Sequence, residues 1–357
     1  MSIKEIAKMA GVSYSTVSRV LNDPAYKCAS EQTRQNIMKA ARELNYIPNE
    51  SARNLKLGIK NTQKVYTISI LVTRMDSAQV DPFFSEITRI TENEIHKNSC
   101  ILSNVWYKSV FSEENVSSAE YESVIKTMFG KSDENKSDGL IIIGKCPHNA
   151  IKVLKSRIKN IVSINRNSTN YETDEVTCDG KDIASKAVEY LISLGHRKIG
   201  YVGDCHNEAR YKGYRETLFK YNLESDIDFT IETTRGEEQG YRIMERLISQ
   251  ENLPTAIYCA NDITAVGMLK CLNKYKNKYY NPSIISSDNI EQSTYTKPML
   301  STVSLPKNEM ARFALFLLLD RIKGGHKAAA KVELEGTLLI RESCSPPENS
   351  MKCEYYI

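Results

Sequence analysis

The sequence is poor in the residues that build metal, redox and disulfide sites. Its five histidines show no ligand spacing, so neither a metal site nor a cofactor is expected. Its nine cysteines are an odd number, scattered with no Cys-x-x-Cys pair, and no signal peptide precedes Met1-Ser2-Ile3-Lys4. This argues against a disulfide framework and for reduced thiols in a cytoplasmic protein. The missing export signal also argues against an extracellular solute-binding protein. The longest strongly apolar run, Phe313 to Leu319, is far too short to span a bilayer, so no membrane partner is expected. Nucleophile elbow, phosphate loop and dinucleotide fingerprint are all absent. No catalytic residue is therefore nominated, and an enzyme on an α/β scaffold is the weaker alternative.

What the chain does have is concentrated at its start. Ser2-Ile3-Lys4-Glu5 is a capping box, in which Ser2 and Glu5 satisfy amides at a helix start. Ile3, Ile6, Ala7 and Ala10 follow at helical spacing, and Ala7 lets a second helix come close. Gly11 permits a sharp turn, and Ser13 restarts the register as an N-cap. Val17, Val20 and Leu21 form the inner face of the second helix, leaving Tyr14, Ser15, Ser18 and Arg19 outside. Those outer residues can all hydrogen-bond, and they sit where a recognition helix reaches base edges. An arginine can grip guanine O6 and N7 with two prongs, while tyrosine and serine reach bases or phosphates. A third helix is capped by Ser30, buries Ile37, Ala40, Ala41 and Leu44, and is stopped by Tyr46 and Pro48. Residues 1–48 thus form an all-α helix-turn-helix headpiece, too small for a deep core.

Residues 49–60 are helix-compatible but short, so this hinge is marginal as a helix by itself. Here the chain resembles the lactose-repressor (LacI/GalR) family of bacterial transcription regulators. The match rests on Val12-Ser13-Tyr14-x-Thr16-Val17-Ser18-Arg19-Val20 and Ser51-Ala52-Arg53-x-Leu55-Lys56, and it extends over residues 2 to about 344. The resemblance implies a homodimer on operator double-stranded DNA, contacted by Ser2, Tyr14, Ser15, Thr16, Ser18, Arg19 and Asn22 of the headpiece. It also implies that the hinge folds only on DNA. Ser51, Arg53, Leu55 and Lys56 then enter the minor groove, with Leu55 as the wedge that unstacks a base step and bends the duplex. Charge agrees with this division. Residues 1–60 hold ten Lys or Arg and five Asp or Glu, a net of +5 in a chain of net +4, leaving −1 for the rest.

After residue 64, short β-rich runs alternate with helical stretches: strands at 66–72, 100–106, 139–144, 161–164, 198–203 and 256–259, helices at 83–97, 183–194, 211–221 and 239–250. Such alternation predicts doubly wound parallel sheets with helices on both faces. The body resembles the family's periplasmic-binding-protein-like effector core of two lobes, joined by three chain crossings. The motifs are Leu194-Gly195-His196-Arg197-Lys198-Ile199-Gly200, Arg210-Tyr211-x-Gly213-Tyr214, Ala260-Asn261-Asp262 and Ser287-Asp288-Asn289. The N-lobe is placed at 64–164 and 292–323, the C-lobe at 165–291 and 324–345, with 346–357 a tail. Residues 112–138 are read as one amphipathic helix between solvated loops.

Ligands of open α/β sheets bind at strand carboxyl ends, where this chain carries several polar groups. The resemblance implies a small-molecule effector, a sugar or sugar derivative, held by Phe83, Phe84, Asn165, Arg210, Arg235, Asn261 and Asp288. Arg210 and Asp288 are the strongest contacts, because a guanidinium and a carboxylate together match vicinal hydroxyls. Asp81-Pro82-Phe83-Phe84 and Arg210-Tyr211-Lys212-Gly213-Tyr214 look most like the galactose and galactoside branch. Two positions depart from the family pattern. Arg235 aligns where a stacking aromatic is common, which opens the way to a charged effector, and Asn165-Arg166 stands where an aspartate is common. The function expected is a repressor of a carbohydrate-utilisation operon, released from DNA by effector. The alternatives are a regulator dependent on a purine or phosphorylated corepressor, and a constitutive architectural DNA binder. With no C-terminal leucine repeat, a dimer is expected rather than a tetramer.

Overall fold

The computed structural model describes residues 3–22, 30–44, 64–76, 81–130, 137–165, 167–206, 208–275 and 280–347. The chain divides into two compact units, Met1–Lys64 and Val65–Ile357.

In the first unit, α1 (Ile3–Ala10), α2 (Tyr14–Asn22) and α3 (Glu31–Glu43) enclose a small core of Ile6, Ala7, Val17, Val20, Ile37 and Ala40. The turn after α1 is a Schellman closure. Gly11 takes φ +66°, and the Val12 amide donates back to the Ala7 carbonyl at 3.0 Å. Ser13 Oγ accepts from the Thr16 amide at 3.2 Å, and Ser30 Oγ accepts from the Thr33 amide at 3.2 Å, so both expected N-caps form. Leu21, Ala41 and Leu44 pack only at the edge of this core. The Ser2 cap, the Tyr46-Pro48 stop and the 49–60 hinge lie outside the described residues.

The second unit runs β1 (Thr67–Val72), α4 (Pro82–Lys97), β2 (Ile101–Tyr107), α5 (Ser118–Phe129), β3 (Gly139–Ile143), α6 (His148–Lys155), β4 (Ile161–Asn165) and β5 (Asp174–Cys178). It continues with α7 (Gly180–Ser193), β6 (Ile199–Gly203), α8 (Ala209–Lys220), β7 (Thr230–Glu232), α9 (Glu237–Leu247), β8 (Ala256–Cys259) and α10 (Asp262–Tyr275). It ends with β9 (Ser283–Ser287), β10 (Ser301–Ser304), α11 (Lys307–Ile322), β11 (Lys331–Leu334) and β12 (Thr337–Leu339). Among the described residues no helix is long and apolar enough to cross a membrane. The polar 112–138 segment contributes the single α-helix α5, which buries Tyr121, Ile125 and Met128.

Two six-stranded sheets result, in the orders β11-β5-β4-β3-β1-β2 and β12-β10-β9-β8-β6-β7. Every neighbouring pair is parallel except β10 with β12. The central strands read as unbroken apolar runs because helices cover both faces. Leu140 through Ile143 and Ile161, Val162 and Ile164 are buried.

The lobe boundaries differ from those expected at three places. The first sheet keeps β5, which pairs with β4 and β11, so the chain first crosses near residue 179 rather than at 165. β10 pairs with β9 in the second sheet, so 292–304 belongs to the C-lobe and the return crossing falls between β10 and α11. β11 lies in the first sheet and β12 in the second, so the last crossing falls at 335–336 rather than before 324. At the first of these places the cause is polar burial. Asp174 and Glu175 read as loop residues, yet both are fully buried in β5. Asp174 accepts from the Arg321 guanidinium, from His326 and from the Ala330 amide, while Glu175 accepts from Ser168 and from the Thr169 amide and hydroxyl. These partners satisfy carboxylates that a strand interior would otherwise exclude.

Candidate functional site

On the headpiece, the outer face of α2 carries the expected set. Tyr14 is 44% exposed; Ser15 and Arg19 are exposed, while Thr16 and Ser18 are half-buried. Ser13 Oγ sits 2.8 Å from both Ser15 Oγ and Thr16 Oγ1, so these hydroxyls form one cluster at the start of α2. That cluster presents donors and acceptors at the N-terminal end of α2, with Arg19 about one turn further on. Asn22 is the last residue of α2. Ser2, Ser51, Arg53, Leu55 and Lys56 lie outside the described residues.

In the body, strand order reverses between β1 and β3 in one sheet and between β6 and β8 in the other. A crevice opens at such a reversal because adjacent connections leave in opposite directions. The loops leaving these strands line a cleft of about 1550 Å³ between the lobes. The wall includes Phe83, Phe84, Asn165, Arg210, Arg235 and Asn261, six of the seven expected contacts. Asp288 is fully buried and is not on the wall; it meets the cleft through Arg235. Its backbone has φ +131°, and Asn289 follows at +49°. Conformations of that kind cost a non-glycine residue roughly 1–3 kcal/mol and concentrate at ligand sites.

Arg210 and Asp288, expected as the two strongest ligand contacts, lie in two separate networks. Arg210 donates from Nε to Glu208 at 2.8 Å and from Nη1 to the Ala260 carbonyl. Burial opposes its charge, but Glu208 more than offsets this and holds its pKa above the ordinary arginine value. Asp288 instead accepts from Arg235 Nη2, while Arg235 Nε donates to Asp81. Asp81 belongs to the N-lobe, where its side chain also caps α4 by accepting from the amides of Phe83 and Phe84. Arg235 and Asp288 belong to the C-lobe, so this one guanidinium joins the lobes. It lies over Phe83 at 5.7 Å and Phe84 at 5.2 Å from the ring centroids. Phe83 and Phe84 meet edge to face at 5.2 Å and are 4% exposed, so each is both core and cleft wall. Asn261 is committed in part to structure, because its Oδ1 caps α10 by accepting from the Thr264 amide and hydroxyl. Asn165 Oδ1 accepts from the Asn167 amide at 3.2 Å.

The sequence reading missed Arg74 and Lys307 and gave Glu208 no role of its own. Arg74 leaves β1 at the reversal point and reaches Glu208 of the other lobe at 3.8 Å. Burial lowers its pKa, Glu208 and Asp204 oppose this, and the neighbouring Arg210 and Arg235 add to the lowering. Lys307 pairs with Glu86 and donates to the Asn289 carbonyl across the lobes at 3.0 Å. The rule that pointed to polar residues after the other strands, applied to β1, reaches Arg74. Nothing local points to Lys307. Among the described residues no group of three or more His, Cys, Asp or Glu is placed to hold a metal ion.

A two-lobed α/β receptor with a reversal-point cleft, preceded by three headpiece helices, defines a ligand-binding regulator of DNA. Residues 2–49 match the model for bacterial regulatory proteins of the lacI family, and 188–344 match a periplasmic binding protein-like domain. The chain is 30% identical over 351 residues to the HTH-type transcriptional repressor PurR of Haemophilus influenzae, spanning 96% of this chain and 98% of that one. It is 28% identical to the HTH-type transcriptional repressor MelR of Bacillus subtilis, spanning 96% and 97%. The chain therefore belongs to the lacI family of bacterial regulatory proteins. Solved structures with the same fold include the CelR–cellobiose complex, with TM-score 0.66, 22% identity, and 96% and 100% of the two chains covered. Another is the lac repressor dimer bound to operator and the anti-inducer ONPF, with TM-score 0.64, 21% identity, and 96% and 98% covered.

Proposed function

We propose that this protein is a sequence-specific transcriptional repressor of a carbohydrate-utilisation operon, working by binding and release rather than by turnover. Two copies of the chain present two α2 helices to a roughly palindromic operator, matching the two-fold symmetry of a homodimer. A small sugar-type effector enters the cleft and changes the angle between the lobes. The paired hinges, with Leu55 as wedge, then no longer fit the minor groove. The coupling is reciprocal, so operator binding weakens effector binding by the same factor. Such a protein acts in the cytoplasm, on the nucleoid. The observation that carries the reading is the presence, in one chain, of an exposed polar α2 face and a cleft at two strand reversals. Family membership and the repressor names of full-length relatives support it.

The test is selection of binding sites from a random duplex pool, followed by anisotropy titration. The expected outcome is one palindromic site. Arg19→Ala should then lose roughly tenfold or more in affinity and relax discrimination at one base pair, in line with about 1–3 kcal/mol per bidentate base contact. Recovery of no preferred site would sink the proposal.

A further inference from the structure

One wall of the cleft is closed by a side chain that spans both lobes. Arg235 fills the space between Asp81, Asp288 and the faces of Phe83 and Phe84. These carboxylates and rings are the groups that a neutral sugar would need, for its hydroxyls and its apolar face. A neutral hydroxyl must therefore displace a guanidinium held by charge-assisted bonds, which are roughly twice as strong as neutral ones. A cationic ligand fares worse, because it would enter beside Arg74, Arg210 and Arg235 together.

An anion finds the opposite situation. Among the described residues Arg74 makes one ion pair, with Glu208 at 3.8 Å, and Glu208 is already engaged by Arg210 at 2.8 Å. Arg235 can turn its Nε edge from Asp81 to an incoming anion while keeping Asp288. Asp81 is not orphaned by that exchange, since it still accepts from the first amides of α4. The wall carries five further carboxylates, Glu113, Glu114, Asp204, Glu232 and Glu237. Glu114 pairs with Lys145 and Glu237 with Lys270, Glu232 lies 2.9 Å from His206, and these three are more than 40% exposed, while Asp204 adds to the pull of Glu208 on Arg74.

We propose that Arg235 is an inter-lobe clasp, and that the ligand of this cleft carries a carboxylate or phosphate that takes Arg235 from Asp81 and bridges it to Arg74. The ligand thereby replaces a link within the protein by one through itself, and the lobe angle changes as Asp81 is released. The proposal rests on the reading of the cleft as the effector site.

Its test uses the full-length protein and isothermal titration with galacturonate, galactose 6-phosphate, inorganic phosphate, galactose and galactosamine. At least one of the three anions should bind ten times or more tightly than galactose and galactosamine. Galacturonate against galactose 6-phosphate then separates a sugar acid from a sugar phosphate. Arg74→Gln should weaken the anion at least tenfold. Asp81→Asn, which can still cap α4, should tighten it several-fold by loosening the clasp, a change that loss of a structural contact alone would not produce. Binding of galactose or galactosamine as tight as that of the anions, failure of all three anions, or weaker anion binding by Asp81→Asn overturns the proposal. Operator affinity is measured in parallel. If an anion binds without altering it, the effector reading fails while the ligand assignment stands. If galactose releases the operator, the assignment fails while the effector reading stands.

Discussion

His196 shows how one side chain can set a pH limit far from either functional face. It is fully buried in the C-lobe, with Nδ1 2.9 Å from Thr255 Oγ1 and Nε2 2.8 Å from the Ser345 carbonyl. A carbonyl can only accept, so the network assigns the proton to Nε2, with Nδ1 facing the threonine hydroxyl. Burial lowers its pKa below the ordinary value of 6.5, and the Ser345 carbonyl opposes this. The unfolded chain therefore binds the proton more readily than the folded one. The stability from neutral His196 is complete above about 6.5 and declines as pH falls through the lowered folded pKa. Urea unfolding between pH 7.5 and 5.5 should show a decline with acidification that His196→Gln makes shallower. Equal slopes in the two proteins would refute this. Arg235 is a second instructive residue. In sequence it was a ligand contact standing where an aromatic is common, but its two carboxylate partners come from positions 154 and 53 residues away, a proximity no local pattern encodes.

Legibility followed the source of each signal at the level of strands and helices. β1, β3, β4, β6 and β8 could be read directly, because their apolar runs are buried and flanked by amphipathic helices. β5 could not, since Asp174 and Glu175 enter it only because Arg321, His326 and the 168–169 turn arrive to satisfy them. β7, β10 and β12 are three or four residues long and lie too close to loop composition to stand out. The cleft was legible in outline, since strand exits at a reversal are predictable. The pairing within it was not, because Arg235 and Arg74 choose partners through the meeting of lobes. The β5 explanation makes a quantitative claim. Asp174 joins α11, β5 and the entry to β11, and Arg321 keeps 18% exposure, so Asp174→Ala should destabilise the body by roughly 3 kcal/mol, the low end for breaking a buried pair. Chemical denaturation checks this; a loss below ~1 kcal/mol would mean that apolar packing alone holds β5.

Across the full chain, positive charge and ligand chemistry are separated. The +5 of residues 1–60 against −1 for the remainder directs phosphate attraction to the headpiece and hinge. A dimer doubles that charge, so operator affinity should fall on the order of 10³-fold or more between 50 and 200 mM salt, as six or more phosphate contacts require. A log–log plot of affinity against salt with slope shallower than about −5 would contradict it. The three crossings between lobes also carry a consequence for synthesis. Chains emerge N-terminus first and fold as they emerge. The headpiece helices end by Glu43, while the first sheet waits for β11 at Lys331–Leu334. A message interrupted between those points yields a finished set of headpiece helices on a body whose first sheet lacks its edge strand.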